Sequence, residues 1–446
     1  MKPKKLLLCF IAALLCATTV AAPIISRDNI RTETLDNGLR LIVQEESTWP
    51  VVSMGLYIRA GSIHEGADRA GAAHMVEHLL FEAETDNGTK LAPYVESIGG
   101  RITAATLRDF TLVKVTVAES FVEEVLPKLL QAVMQADFQQ QTLEREKMVI
   151  AREITERTAG GEGYLQVKLW EQAFEVHPYQ RPIGGTCDQV KQLTIEKLRS
   201  FYNEFYVPNN MSMVVTGRVD PDWLIGRTQE LTEGIESREI SWQAPTPETQ
   251  QETIRKDIQM RDSQITALGF AWHAPGMPEK EEICAMDIIY TLLGQQHVGR
   301  VQKALREKQV PAVIECNYLT QFQPGLMMII AGIHGDGEIT ARNVILEEIR
   351  RLRNEKVSEE ALARAKRLLR TEYAFTNESY SGQVGSLGFY DAIDTYEFAI
   401  DYIDYVNRVT AEDIQEVARK YLDPEAYTLV ILRPESSTAG TQEVNL

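Results

Sequence analysis

The segment GAAHMVEHLLFEA gathers His74, Glu77 and His78 within five residues. Its residues favour a helix and include no proline. On a helix, His74 and His78 lie four apart on one face, and Glu77, three after His74, turns the same way. Two neutral imidazoles at that spacing can hold one Zn²⁺. A carboxylate beside them can take a proton from water that the metal activates. The order HxxEH inverts the more familiar HExxH, and both are metal-hydrolase patterns. The bland alternative is an amphipathic helix whose histidines pack or face solvent. The chain has seven histidines, and two of them fall here.

A catalytic zinc wants a third protein ligand and one open position. The stretch TLEREKMVIAREITERT, from Thr142, reads as a helix with Met148, Val149, Ile150 and Ile154 on its apolar side. Glu146 and Glu153 sit seven apart, two turns along one face. By residue type alone such acids are usually solvated charges, so the spacing leaves the third ligand open.

The elements that must position these residues recur. LTIEKLRSFYNEFYVPNNMSMVV, from Leu193, is echoed by VTAEDIQEVARKYLDPEAYTLVI, from Val409. Thr194 and Thr410, Glu196 and Glu412, Leu198 and Ile414, Phe205 and Tyr421, and Pro208 and Pro424 all match at an offset of 216. Each copy predicts a Thr-capped helix ending before the proline, then a strand. Five matches in register imply a duplicated α+β unit. Between the copies, SREISWQAPTPETQQ is polar, carries two prolines and lacks periodicity, as a linker does. The expected organisation is a signal peptide over 1–21, a metal-bearing domain over 22–236 and a linker over 237–252. A homologous domain over 253–435 and a flexible tail over 436–446 follow. Each domain is expected to be an α/β sandwich.

Lys2, Lys4 and Lys5 precede an apolar run from Leu6 to about Val20, followed by small residues to Ala22. That is the pattern of a secretory signal cut after Ala21. Removing it would take the formal charge from -18 to -21, since three lysines leave with it. Such acidity excludes nucleic acid as a natural partner. No internal apolar run approaches a membrane span, so the expected place is an exported, periplasmic one, with secretion as the alternative. Cys187, Cys284 and Cys316 would remain, too few for a disulfide framework and without a CxxC.

HMVEH followed by EREKMVIARE resembles the pitrilysin/insulinase family of inverted-motif metallopeptidases, in particular bacterial members similar to the mitochondrial processing peptidases. LDNGLRLIVQE, IRAGSIHE, VHPYQRPIGGT, FYVPNNMSMVVTG and RKYLDPEAYTLVIL look like family segments in family order. The resemblance implies two homologous domains forming a clamshell, one Zn²⁺ per chain, and cleavage of peptides or unfolded segments with Glu77 as general base. It makes Glu153, 75 residues after His78, the third ligand, and Glu146 a supporting acid. Mn²⁺ or Co²⁺ suits the same ligands.

Two departures stand out. Where the family carries a stretch like N-A-x-T-x-x-D-x-T on the edge strand that docks substrate, this chain begins with Thr103 and Ala104. The backbone edge is expected to bind an extended peptide by strand addition, with the Asn contact missing. Where the family's second half offers an Arg and a Tyr seven apart to steady a carbonyl, this chain has Arg306 and Val313. Val cannot donate a hydrogen bond. The resemblance therefore implies a homologous partner subunit that supplies the Arg/Tyr pair, or a homodimer. The alternatives are a metal-holding, peptide-binding or chaperone-like clamshell with little turnover, and a non-enzymatic scaffold subunit.

Overall fold

The computed structural model describes residues 25–435 except 83, 86–87 and 296–297. The expected signal peptide (1–21) and tail (436–446) lie outside the described residues.

The first half contributes β1 (Ile30–Thr34), β2 (Arg40–Glu45), β3 (Val51–Ile58), a short pair β4 (Glu84–Thr85) and β5 (Thr89–Lys90), then β6 (Arg101–Thr106), β7 (Thr111–Ala118) and β8 (Met211–Gly217). Its sheet runs β1-β2-β8-β3-β7-β6. The second half contributes β9 (Arg255–Arg261), β10 (Thr266–His273), β11 (Ala312–Tyr318), β12 (Leu326–Ile333) and β13 (Thr428–Pro434), in the order β11-β12-β10-β13-β9. Read from the other edge, β9-β13-β10-β12-β11 repeats β2-β8-β3-β7-β6. The pairings also agree: one parallel, then three antiparallel. The fold is α+β and duplicated. Thr194 and Thr410 both cap their helices, Ile195–Phe205 and Ala411–Tyr421, through the side-chain oxygen, and each helix leads to the closing strand.

Residues 235–254 carry neither helix nor strand. Even so, the halves do not pack as two separate sandwiches. β3 and β8 are buried along almost their whole length, so both faces of the sheet are covered. Val52, Met54, Leu56 and Ile58 face helices of their own half. The opposite face is covered by helix Tyr380–Ile393 of the second half, and the Tyr57 hydroxyl donates to the Val384 carbonyl at 2.8 Å. In return, helix Gly161–Ala173 of the first half covers the matching face of the second sheet through Leu165, Leu169 and Trp170. Burying Leu165 and Leu169 alone contributes roughly 3–6 kcal/mol.

A glycine sits under each exchanged helix. A Cβ on Gly55 would lie 2.9 Å from Val384 Cγ1, and one on Gly269 would lie 2.9 Å from Leu165 Cγ. Either would push its helix off the sheet. The first exchange is also tied by charge. Asp391, fully buried, meets Arg40 at 2.9 Å and Arg59 at 3.1 Å, and accepts from the Ser212 hydroxyl.

Cys187, Cys284 and Cys316 are all free thiols. No described helix is long and apolar enough to cross a membrane.

Candidate metal centre

HMVEH lies on helix Ala72–Glu82, which is buried on most sides because it runs between β6, helix Gln140–Ala159 and helix Ile195–Phe205. Its start is fixed by Glu65, whose buried carboxylate accepts from the Gly71 and Ala73 backbone N–H groups at 2.8 and 2.9 Å. A carboxylate at a helix N-terminus satisfies donors that have no partner within the helix.

Helix Gln140–Ala159 crosses it, carrying Glu146 and Glu153. Its buried line is Leu143, Glu146 and Ile150. This corrects the apolar side read from sequence: Met148 is 69% and Val149 38% exposed. Buried positions follow the spacing of 143, 146 and 150, and residues 148 and 149 fall on the opposite side. The correction puts Glu146 itself in the buried stripe.

Glu153 Oε2 stands 3.8 Å from His74 Nε2 and 3.6 Å from His78 Nε2. One donor atom from each of these three residues falls within 4.8 Å of the other two. Glu146 Oε2 lies 3.1 Å from His78 Nδ1, and Arg145 Nε donates to Glu146 Oε1 at 3.1 Å. A carboxylate on the far nitrogen fixes a ligating histidine's tautomer and turns Nε2 toward the metal position. Burial, the nearby His78 and Arg157 push His74 down to about 3, so it is neutral and ready to ligate at ordinary pH. Among the described residues its Nδ1 is buried without a hydrogen-bond partner, facing away from the shared Glu153 oxygen. Two imidazoles and one carboxylate converging on one point suit a tetrahedral divalent ion with an open fourth position.

Glu77 points toward β6. The Thr106 hydroxyl donates to Glu77 Oε2 at 2.6 Å. Burial holds the Glu77 carboxyl above the usual carboxylate range, and Glu153 adds to this; the Thr106 hydroxyl and backbone N–H and the neighbouring His78 pull it back. Sequence reasoning gave Thr106 no role. Its only signal was its place in the 103–111 stretch on the strand that packs against the metal helix.

The structure brings His74, His78, Glu153, Glu146 and Glu77 together. Thr103 and Ala104 lie on β6, at the outer edge of the first sheet, three and two residues before Thr106. Arg306 sits apart, on helix Arg300–Glu307, which packs on helices Lys280–Gly294 and Glu338–Asn354 and on β11 of the second half. There its Nε donates to the Gln302 carbonyl at 3.4 Å. Val313 on β11 is 70% exposed.

Two family models match the chain. Residues 40–187 match insulinase (peptidase family M16), and residues 192–369 match the peptidase M16 inactive domain. The chain belongs to peptidase family M16. Among M16 relatives, an uncharacterized zinc protease of Mycobacterium tuberculosis is 25% identical over 415 residues, covering 91% of this chain and 94% of that one. A probable mitochondrial-processing peptidase subunit beta of Arabidopsis thaliana is 25% identical over 422 residues, covering 90% and 77%. The crystal structure of a protease from Helicobacter pylori superposes with a TM-score of 0.83 at 22% identity, covering 91% of this chain and 99% of that one. The M16 fold thus accounts for both halves, the second under a model described as inactive.

Proposed function

We propose that this chain is a zinc-dependent endopeptidase acting on peptides or unfolded segments. The observation that carries the reading is the convergence of His74, His78 and Glu153 on one point, with Glu77 on the same helix. His74 and His78, through Nε2, and Glu153, through a carboxylate oxygen, would hold the ion. A bound zinc ion supplies Lewis acidity, polarising a peptide carbonyl and lowering the pKa of water. Glu77 takes the proton from the attacking water and returns it to the leaving amine. The edge of β6 offers backbone N–H and C=O groups to an extended substrate. Relatives named zinc proteases support the choice of metal.

We propose further that the chain is exported and works with a second, homologous subunit. Val313 offers no donor where the family resemblance expects a Tyr, and one relative is named as the beta subunit of a processing peptidase.

The test is cleavage of a quenched fluorescent peptide library by the purified chain, with zinc quantified in the same sample. One zinc per chain with chelator-sensitive cleavage, lost in Glu77→Gln, supports the peptidase. Cleavage that survives Glu77→Gln overturns the mechanism. Full activity of the single chain, with no gain from any partner, overturns the two-subunit reading.

A further inference from the structure

The Thr106 hydroxyl carries one proton and can give it to one acceptor. Two acceptors are near: Glu77 Oε2 at 2.6 Å and Thr111 Oγ1, across the β6–β7 pair, at 3.4 Å. The shorter contact decides between them. Thr111 is fully buried, and its own proton goes to the Ala60 carbonyl at 2.7 Å. Its oxygen can therefore only accept. Beside it stands the Tyr206 hydroxyl, buried and, among the described residues, without a hydrogen-bond partner of good geometry. A phenol proton in that position has Thr111 as its natural acceptor. Glu77 Oε2 is the nearer acceptor, at 2.6 Å against 3.4 Å, so the Thr106 proton goes to Glu77. The Thr111 proton is committed to a backbone carbonyl in the core, so the Thr106 hydroxyl has no donor behind it from which to relay a proton. It can only hold.

We propose that Thr106 is a positioning residue for Glu77, pinning one carboxylate oxygen through its hydroxyl so that the other stays turned to the metal position. The assignment rests on the peptidase reading above. It adds a link between substrate and base. Thr106 belongs to β6, the strand whose open edge would receive an extended peptide, and Glu77 belongs to the metal helix. A peptide docked along β6 would therefore lie on the strand that holds the base.

The test compares the full-length chain as wild type, Thr106→Val, Thr106→Ser and Glu77→Gln. Each is assayed on a fluorogenic peptide, with zinc content and thermal midpoint measured on the same samples. Val keeps the shape, the strand preference and the backbone N–H of Thr while removing the hydroxyl. In Thr106→Val, kcat should fall about 10–100-fold, the range for loss of a group that orients a site residue. KM, zinc content and midpoint should stay close to wild type. Thr106→Ser should recover most of kcat. The proposal is overturned if Thr106→Val keeps wild-type kcat, or if Thr106→Ser falls as far as Thr106→Val. Undiminished turnover in Glu77→Gln would instead overturn the peptidase reading. Should the wild type show no turnover, crystal structures of zinc-loaded wild type and Thr106→Val still decide. A Glu77 carboxylate that leaves its wild-type place in Thr106→Val supports the assignment, and one that stays put overturns it.

Discussion

Helix Ala72–Glu82 and helix Lys280–Gly294 occupy the same place in the two halves. Each follows the matching strand, β3 or β10, and each packs against an equivalent pair of helices: Gln140–Ala159 and Ile195–Phe205 in one half, Glu359–Thr376 and Ala411–Tyr421 in the other. The first pair of crossing helices encloses His74, Glu77, His78, Glu146 and Glu153. The second is closed with Ile288, Ile289, Leu292 and Leu293 against Ala365 and Leu369. Leu369 stands 216 residues after Glu153, at the offset of the repeat. The scaffold does not need the polar groups. In the first half they are held against the preference of their surroundings, Glu77 pushed up and His74 pushed down by burial. Burial also pushes Asp287 of helix Lys280–Gly294 up to about 7, so perturbation alone does not separate the halves; the convergence of His74, His78 and Glu153 on one point does.

The largest expected effect breaks the comparison on that side. Glu77→Gln should lower kcat by about 10²–10⁴-fold, the range for general acid–base catalysis, while zinc content stays at one per chain. Placing a carboxamide on the second half, as in Leu369→Gln, should leave kcat untouched and lower stability by about 1–3 kcal/mol, since a polar group is buried there without a partner. A loss of turnover in that variant at full zinc and full folding would mean that the second half takes part in the chemistry.

The next effect is on what joins the halves. Asp391→Ala strips the buried partner from Arg40 and Arg59. Both arginines keep about a third of their side-chain surface exposed, which softens the penalty to roughly 3 kcal/mol, the low end for breaking a buried pair. Urea unfolding measures it. Gly55→Ala and Gly269→Ala test the exchange from both directions. Each should cost about 1–3 kcal/mol by overpacking a helix against a sheet. Equal losses would show that the two exchanged helices are equivalent clamps; a loss at one glycine only would show that the halves are held unequally.

The repeat was legible because it is local. A capping Thr, a helix ending before a proline and a strand all lie within about 25 residues of sequence, where propensity and periodicity act. HxxEH was legible for the same reason. The exchange of helices was not. The apolar face of Gly161–Ala173, with Leu165, Leu169 and Trp170, says that something covers it and not which sheet. Leu165 meets Gly269, more than a hundred residues away. Thr106 was likewise invisible as a partner of Glu77, since Thr on a β-strand is ordinary and only folding brings β6 to the metal helix. Met148 and Val149 misled because hydrophobic type suggested an inward face that the 3.6-residue period of the helix denies them.

The smallest effect bears on the junction itself, where the edge hairpins of the two sheets meet turn to turn. Asp109, between β6 and β7, accepts from the Phe322 backbone N–H at 3.0 Å, between β11 and β12, and from the Tyr179 hydroxyl. Burial is the main cause that raises its carboxyl from the usual 3.8 to about 6, against the pull of Tyr179, the Phe322 N–H and Arg108. A carboxyl raised in the folded state favours folding while it stays protonated. That contribution is fully present below the unfolded value near 3.8 and is lost as pH rises through about 6. The loss is at most about 1.4 kcal/mol per pH unit. Asp109→Asn keeps an acceptor for Phe322 and cannot ionise. The difference in unfolding free energy, wild type minus Asp109→Asn, should therefore fall between pH 4 and 6 and level off above about 7. A difference that stays flat across that range would mean that Asp109 is already ionised in the folded chain. The turn-to-turn contact would then be an ion-dipole clasp, strongest at neutral pH, and the halves would loosen in acid rather than tighten.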